Sequence, residues 1–147
     1  MKVKDVCKWI SLKPAVVSPE TPIEKVIEKV VEDPTTRSVY VVANGKLMGV
    51  IPISHLMRIT AFKFSGILPE HDELKKHIKS ISANTAADVM LPPLQVHLED
   101  ALEDALKLMI DNNVQELPIV DNAGNIIGDL NSLEILMGFW EMKKDGV

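Results

Sequence analysis

Few side chains of this chain combine the chemical type and the spacing that catalysis or metal binding requires. The histidines are scattered along the sequence, as His55, His71, His77 and His97. His71 and His77 stand among acids and could in principle hold zinc with them, but residues six apart on one helix point in different directions. The single cysteine, Cys7, can form neither an internal disulfide nor a cysteine-rich metal site. These residues do not predict a metal centre.

Sequence motifs that are typical of enzymes are missing as well. The chain has no glycine-rich phosphate loop, no Gly-x-Ser-x-Gly nucleophile turn and no His-Glu-x-x-His zinc motif. We therefore predict that the chain is not an enzyme and that it requires no cofactor.

Two short motifs at predicted helix starts are better candidates for binding. They read GVIPISH from Gly49 to His55 and GDLNSLE from Gly128 to Glu134. The first turn of a helix carries unpaired N–H groups and a partial positive charge, which suit a phosphate group. The second motif belongs to the stretch Leu117–Leu136, where two apolar runs flank a polar turn and a helical pattern follows. This order predicts a β-hairpin that leads into a helix.

A further helix is predicted before each hairpin. In the first copy Thr21 is a suitable N-cap, Pro22 suits the first helical position, and Glu24 completes a capping box. The apolar positions then recur at helical spacing, as Ile23, Val26, Ile27, Val30 and Val31. Their β-branched side chains favour a strand by a few tenths of a kcal/mol each, but burying one such side chain contributes roughly 1.5–3 kcal/mol. The helical spacing therefore outweighs the strand preference, and we predict a helix.

Adding 79 to these residue numbers finds a second copy of the same pattern. Asp100 to Glu103 gives another capping box, and the apolar stripe returns as Leu102, Ala105, Leu106, Met109 and Ile110. The same offset takes Gly49 to Gly128, so the chain is an internal duplication. Each unit reads strand, helix, strand, strand, helix, and a unit of about 55–60 residues is marginally stable alone. We predict an α/β (α+β) fold of two βαββα units that share one core.

The boundaries that follow from the duplication are 1–64 for the first repeat and 85–147 for the second. Residues 65–84 form a predicted helical insertion or linker, with a helix from Glu70 to Ile81. The closing helices of both units, Ile53–Phe64 and Leu133–Met142, are more apolar than a solvated surface helix requires.

Composition excludes several kinds of partner. The chain has 147 residues, of which 46% are hydrophobic and 25% charged, and its net charge is −5. A nucleic-acid surface needs a concentrated basic face, and the one local basic group, at 75–79, is better interpreted as a solvated helix face. The sequence has neither the apolar run of a membrane span nor a signal-peptide core. We predict a cytoplasmic protein that binds neither nucleic acid nor membrane.

The duplicated pattern resembles the CBS domain, named after cystathionine beta-synthase. The features that carry the resemblance are the capped helix and the hairpin pattern that follows it, in which a polar turn leads to a glycine, two hydrophobic residues and a second glycine. The pattern occurs twice in tandem, as VYVVANGKLMG from Val39 to Gly49 and as LPIVDNAGNIIG from Leu117 to Gly128. Two such repeats are called a Bateman module. The resemblance implies repeats related by a pseudo-twofold axis, dimerisation, and binding of AMP, ADP, ATP or S-adenosylmethionine in clefts between the repeats.

The sequence departs from the family's ligand motif, which the resemblance implies as Gly-hydrophobic-x-Thr/Ser-x-x-Asp. Its Thr or Ser would help to hold phosphate, and its Asp would accept hydrogen bonds from ribose. In the first copy Pro52 and His55 replace these two residues, and in the second copy Asn131 and Glu134 replace them. Asn131 could still contact phosphate or simply cap the helix. We therefore expect the second motif to hold the ligand, while His55 is either a ribose or phosphate contact or a partly exposed helix residue.

The resemblance also implies the walls of an adenine site, formed by the strand that enters each unit and the middle strand of its hairpin. Carried over, the positions are Ala15, Val16, Val39 and Tyr40 in the first unit, and Leu94, Gln95, Leu117 and Pro118 in the second, while Ile51 of the first motif is a further predicted ligand-binding residue. Ordinary core packing is the alternative for most of them. Tyr40 could stack on a base or fill the cleft itself, and Arg37 is the best-placed cation for phosphate, with an exposed strand-edge arginine as the alternative.

Two functions therefore remain open at this point. The chain is a non-catalytic regulatory module that binds an adenosine-containing ligand, or a ligand-free module for homodimerisation or for interaction with an unidentified protein partner. The duplicated unit, with an amide at Asn131 and a carboxylate at Glu134, favours the first, and the apolar closing helices with Phe139 and Trp140 favour the second.

Overall fold

A computed structural model describes residues 1–7, 13–67 and 84–146 of the chain. The predicted helix from Glu70 to Ile81, including His71 and His77, lies outside the described residues. In chain order the elements are α1 (Val3–Val6), β1 (Val16–Val17), α2 (Ile23–Glu32), β2 (Ser38–Ala43), β3 (Lys46–Pro52), α3 (Ile53–Ser65), α4 (Ala86–Val89), α5 (Leu102–Asn112), β4 (Glu116–Val120), β5 (Ile126–Asn131) and α6 (Ser132–Lys144).

An antiparallel hairpin followed directly by a helix forms the centre of each repeat. β2 pairs with β3, β4 pairs with β5, and both ladders shift register at the equivalent point. In the first hairpin turn Asn44 and Gly45 have φ values of +53° and +78°. This is the left-handed conformation that an Asn-Gly turn provides at little cost. The predicted pair of α/β repeats, related by a pseudo-twofold axis, is confirmed.

The strand that enters each repeat differs between the two copies. In the first, β1 pairs in parallel with β2, with Val16 opposite Tyr40. In the second, the predicted strand at Leu94 and Gln95 is reduced to a single bridge at Val96, whose N–H donates to the Pro118 carbonyl at 3.0 Å.

The predicted capping boxes at Thr21 and Asp100 are wrong. α2 begins after Pro22 and α5 after Ala101, and neither helix has a side-chain cap. Thr21 and Asp100 instead close the turn in front of each helix: the Ser18 N–H donates to Thr21 Oγ1 at 3.1 Å, and the His97 N–H donates to Asp100 Oδ2 at 2.8 Å. The short polar side chains of Thr and Asp can accept a hydrogen bond either from the first turn of a helix or within the turn before it. The sequence pattern therefore did not distinguish a helix cap from a turn.

The apolar stripes of α2 and α5 pack on the cores except at their last positions. Ile23 and Val26 are buried in one core, and Leu102, Ala105 and Met109 in the other. Ile27, Val30 and Leu106 are partly buried against the same cores. The last predicted inward positions are exposed, Val31 by 71% and Ile110 by 68%. The helix periodicity was therefore predicted correctly, and the burial of its last position was not.

The opening helix of each repeat packs against the other repeat. Val3 and Val6 of α1 lie in the core of the second repeat, and the Val3 N–H donates to the Asp100 carbonyl at 3.0 Å. Ala86 and Val89 of α4 lie in the core of the first repeat. This exchange ties the two repeats together. The repeat boundaries at 64 and 85 stay a prediction about the sequence, and they do not separate the two packed cores.

Within 1–7, 13–67 and 84–146, every helix is too short or too polar to cross a membrane.

Candidate functional site

A cleft of about 250 Å³ lies where the first closing helix meets the second repeat. Its lining from the first repeat is Arg37, Pro52, Ile53, Ser54 and Met57, and its lining from the second is Asn113, Val114 and Gln115. Of these, only Arg37 belongs to the predicted site residues; Ser54 and Gln115 were missed, although Ser54 is a polar residue inside the first motif.

The start of α3 faces this cleft without a side-chain cap. Pro52 occupies the N-cap position, its side chain has no acceptor for the first-turn N–H groups, and that turn contains no acid. The Ile53 N–H donates to the Arg37 carbonyl at 3.0 Å, which fixes the strand end against the helix start. The following N–H groups of the first turn, with the helix dipole, offer the polarity that an anion needs.

Arg37 places the positive charge at the mouth of the cleft. Its side chain is exposed, and its guanidinium donates to the carbonyls of Pro34 at 2.9 Å and Thr36 at 3.2 Å. These backbone contacts hold the group near the helix start, and a guanidinium has further N–H donors for a second partner. A phosphate group is the ligand that this combination suits best.

The second motif has a different local structure. Asn131 is the N-cap of α6, where its Oδ1 accepts from the Glu134 N–H at 3.0 Å, and Glu134 Oε1 accepts from the Asn131 N–H at 3.2 Å. Glu134 is fully buried. This capping box uses the amide and the carboxylate that the resemblance assigned to phosphate and ribose, and their ligand role stays a prediction.

His55 is not the partly exposed helix residue of the alternative interpretation. It is buried, and its Nε2 lies 2.8 Å from the carbonyl oxygen of Val89 in α4. The side chain therefore joins α3 to the exchanged helix of the other repeat. Its predicted contact with a ligand is not tested.

The predicted adenine walls fall into two separate cores. Ala15, Val39 and Ile51 are buried in the first core and Leu117 in the second, while Pro118 is buried and Leu94 packs at the edge of the second core. Val16 and Gln95 are exposed. Tyr40 is fully buried and points at the second repeat, where its hydroxyl donates to Glu116 Oε1 at 3.2 Å.

Two buried acids beside Tyr40 were not predicted from the sequence. Glu116 begins β4 and Asp129 lies in β5, and the two are only 3% and 5% exposed. Burial raises the pKa of both carboxyl groups, and for Asp129 burial together with the neighbouring charges of Glu116 and Glu134 raises the pKa to about 8. The signal in the sequence was a charged residue inside each apolar strand pattern, in QELPIV and IIGDLN.

Among the described residues, no three His, Cys, Asp or Glu side chains are grouped as a metal site would require. The acids around His71 and His77 are outside this part of the chain.

Comparison with known proteins identifies relatives over nearly the whole chain. A family model described as the CBS domain matches residues 3–61 and 86–140. A crystal structure of a CBS domain-containing protein from Thermotoga maritima is 51% identical, with a TM-score of 0.83 over 96% of this chain and 95% of the other. The crystal structure of CBSX2, from Arabidopsis thaliana, in complex with AMP is 27% identical, with a TM-score of 0.69 over 97% and 98% of the two chains.

Among curated sequences, the chloroplastic CBS domain-containing protein CBSX1 of Arabidopsis thaliana is 26% identical over 144 residues, which is 89% of this chain and 61% of that protein. The chain thus spans about three fifths of the length of the curated relatives that it matches first.

Proposed function

The chain belongs to the CBS domain family, and from this premise we propose that it is a regulatory module that binds an adenosine-containing ligand between its two repeats. The observation that carries the proposal is the cleft at the start of α3, where an uncapped helix start and Arg37 from one repeat face Gln115 from the other. A ligand that contacts both sides favours one arrangement of the repeats over others, which is how binding would be transmitted to a partner.

The chemistry of the cleft favours a ligand with a phosphate group, so AMP, ADP and ATP are the leading candidates and S-adenosylmethionine, a cation at its sulfur, is less favoured. The AMP that CBSX2 holds supports the same choice, because that protein shares the fold at 27% identity. The proposed role is regulatory and not catalytic, and the proposed setting is the cytoplasm.

The proposal also separates the two motifs. The first cleft offers a free helix start, whereas the cap of α6 is already occupied by Asn131 and Glu134. We therefore place the phosphate beside Arg37, and we keep the second motif as the alternative site. Binding there would require Glu134 to leave its capping bond with the Asn131 N–H.

Thermal shift measurements with AMP, ADP, ATP and S-adenosylmethionine test the proposal. Ligand at 100 times its dissociation constant stabilises the folded state by about 2.7 kcal/mol, so weak binding is detectable at millimolar concentration. We expect a shift with at least one phosphate-bearing ligand, strongly reduced in Arg37→Ala. Arg58→Ala, an exposed arginine on α3 outside the cleft lining, is the matched control and should shift like the wild type. No shift with any of the four compounds would overturn the proposal.

A specific observation favours homodimerisation as the second candidate function. Val31 and Met57 of the first repeat and Ile110 and Leu136 of the second are between 63% and 71% exposed. They line two equivalent apolar grooves, between α2 and α3 and between α5 and α6. Apolar patches that recur by internal symmetry suit a second copy of the chain, because a twofold interface pairs like with like. We propose this face as the dimer interface.

A further inference from the structure

The facing sheets of the two repeats meet at three buried polar side chains. Tyr40 comes from β2 of the first repeat, and Glu116 and Asp129 come from adjacent strands of the second. Pro118 pairs with Asp129 across the ladder, so Glu116, two residues earlier, lies diagonally from Asp129 on the same face. The Tyr40 hydroxyl donates to Glu116 Oε1 at 3.2 Å.

The two carboxyl groups lack enough donors if both are charged. Glu116 receives the tyrosine hydroxyl, and the backbone N–H groups of Arg37 and Ser38 also lie against it. Asp129 Oδ1 is buried and has no hydrogen-bond partner among the described residues. A proton on Asp129 provides the missing bond, because a carboxyl group can donate to a neighbouring carboxylate.

The charges that face this pair from the surrounding elements are also negative. Glu134 at the start of α6 and Asp33 at the end of α2 both disfavour ionisation of Asp129. Arg37, three residues before Tyr40 in the first repeat, donates its guanidinium hydrogen bonds to the carbonyls of Pro34 and Thr36. Two unscreened like charges at this depth would repel strongly.

We propose that Tyr40, Glu116 and Asp129 form a proton-holding contact between the two repeats, in which Asp129 donates its proton to Glu116, and that loss of this proton in alkaline solution weakens the packing of the facing sheets. The contact makes the relation between the repeats sensitive to pH. It is independent of whether a nucleotide binds.

The sign of the pH dependence follows from proton linkage. The pKa of Asp129 is raised in the folded protein to about 8 and is about 3.9 in an unfolded chain. The folded state therefore binds the extra proton between these values, and its stability falls as the pH rises through this window. The folding equilibrium constant loses up to about tenfold per pH unit from this group and levels off above about pH 8.

Asp129→Asn is the test, because the amide donates to Glu116 permanently and does not titrate. Urea denaturation of wild type and variant is compared at pH 6 and at pH 9. We expect the ratio of folding equilibrium constants, variant over wild type, to rise by about a hundredfold between the two pH values, because the wild type loses about tenfold per pH unit from pH 6 to about pH 8. Asp104→Asn, an exposed acid on α5, is the matched control, and its ratio should not change with pH. An unchanged ratio in Asp129→Asn as well would overturn the proposal.

A second measurement uses the wild-type protein alone and does not depend on a stable variant. Carboxyl ¹³C NMR of aspartate-labelled protein should show one aspartate that titrates in the alkaline range, far from the ordinary value of about 3.9. If every aspartate resonance titrates below pH 6, Asp129 is charged at neutral pH and the proposal is wrong.

Discussion

Residue chemistry at the two closing helices determines whether a side chain already caps the first-turn N–H groups. At the first helix start a proline stands at the N-cap, so no side chain competes with a ligand for the first-turn N–H groups. At the second, Asn131 and Glu134 bond to each other's backbone and satisfy the same groups internally. A capping box and an anion site therefore use one set of donors in two exclusive ways.

The cap at Asn131 can be tested by its effect on stability. Asn131→Ala removes the acceptor for the Glu134 N–H and should lower the free energy of unfolding by about 1 kcal/mol. Asn131→Ser, which keeps an N-cap oxygen, should restore most of the loss in the same urea titration. Equal stability of the alanine and serine variants would show that the side chain caps nothing.

Some residue roles could be predicted from sequence and others could not. Asn131 as an N-cap followed from its type and position before a helical pattern. The buried acids did not, because Glu116 and Asp129 become neighbours of Tyr40 only when the sheets of two repeats face each other. Likewise, the contact of the His55 side chain with the Val89 carbonyl depends on the exchange of the opening helices, which a local sequence pattern does not predict.

Among the elements, the two copies differ in how closely other chain segments approach the second hairpin strand, β3 or β5. A Cβ on Gly49 would lie 2.7 Å from the Leu91 carbonyl oxygen, since residues 90–91 bridge to β3 there. The equivalent Gly128 is open, with the nearest atom, Ile119 Cδ1, at 3.7 Å. Neither glycine has a positive φ, so the contrast is one of space alone.

This contrast gives a matched pair of substitutions. Gly49→Ala forces backbone apart and should lower the free energy of unfolding by roughly 1–3 kcal/mol. Gly128→Ala should change it by less than about 1 kcal/mol, or raise it slightly, because alanine restricts the unfolded chain. Thermal denaturation of both variants measures the difference, and similar losses in the two would contradict the packing described.

Element types could be predicted from the sequence because the chain contains the same pattern twice. The helical spacing identified the helices, the polar turn between two apolar runs identified the hairpin, and the 79-residue offset related the copies. The exposure of Val31 and Ile110 was not accessible, since periodicity shows that a face is apolar but does not show what covers it.

The whole molecule combines exchanged opening helices, facing sheets and a pair of exposed apolar grooves. The exchange means that neither repeat completes its core alone, which agrees with the marginal stability expected for a unit of this size. The grooves lie on α2, α3, α5 and α6, away from the polar contact between the sheets. The proposed ligand cleft adjoins both grooves, because Ile53 and Met57 also line the groove between α2 and α3, and Asn113 and Val114 also line the groove between α5 and α6.

The dimer face can be tested by solution scattering. The wild-type chain should have the mass of a dimer, and a double variant Met57→Glu with Leu136→Glu should be a folded monomer, because both side chains are more than 60% exposed in one copy. Replacing the exposed Met48, which lies in β3 away from these helices, by Glu is the control and should leave the dimer intact. A monomeric wild type would rule out this interface.

A crystal structure of the chain, determined from crystals grown with millimolar AMP, tests the central claim most directly. The account predicts one nucleotide between the repeats, with its phosphate within hydrogen-bond distance of the Arg37 guanidinium and the first-turn N–H groups of α3. A nucleotide bound instead at Asn131 and Glu134 would move the site to the second motif. A cleft beside Arg37 that stays empty, with AMP bound nowhere between the repeats, would contradict the account.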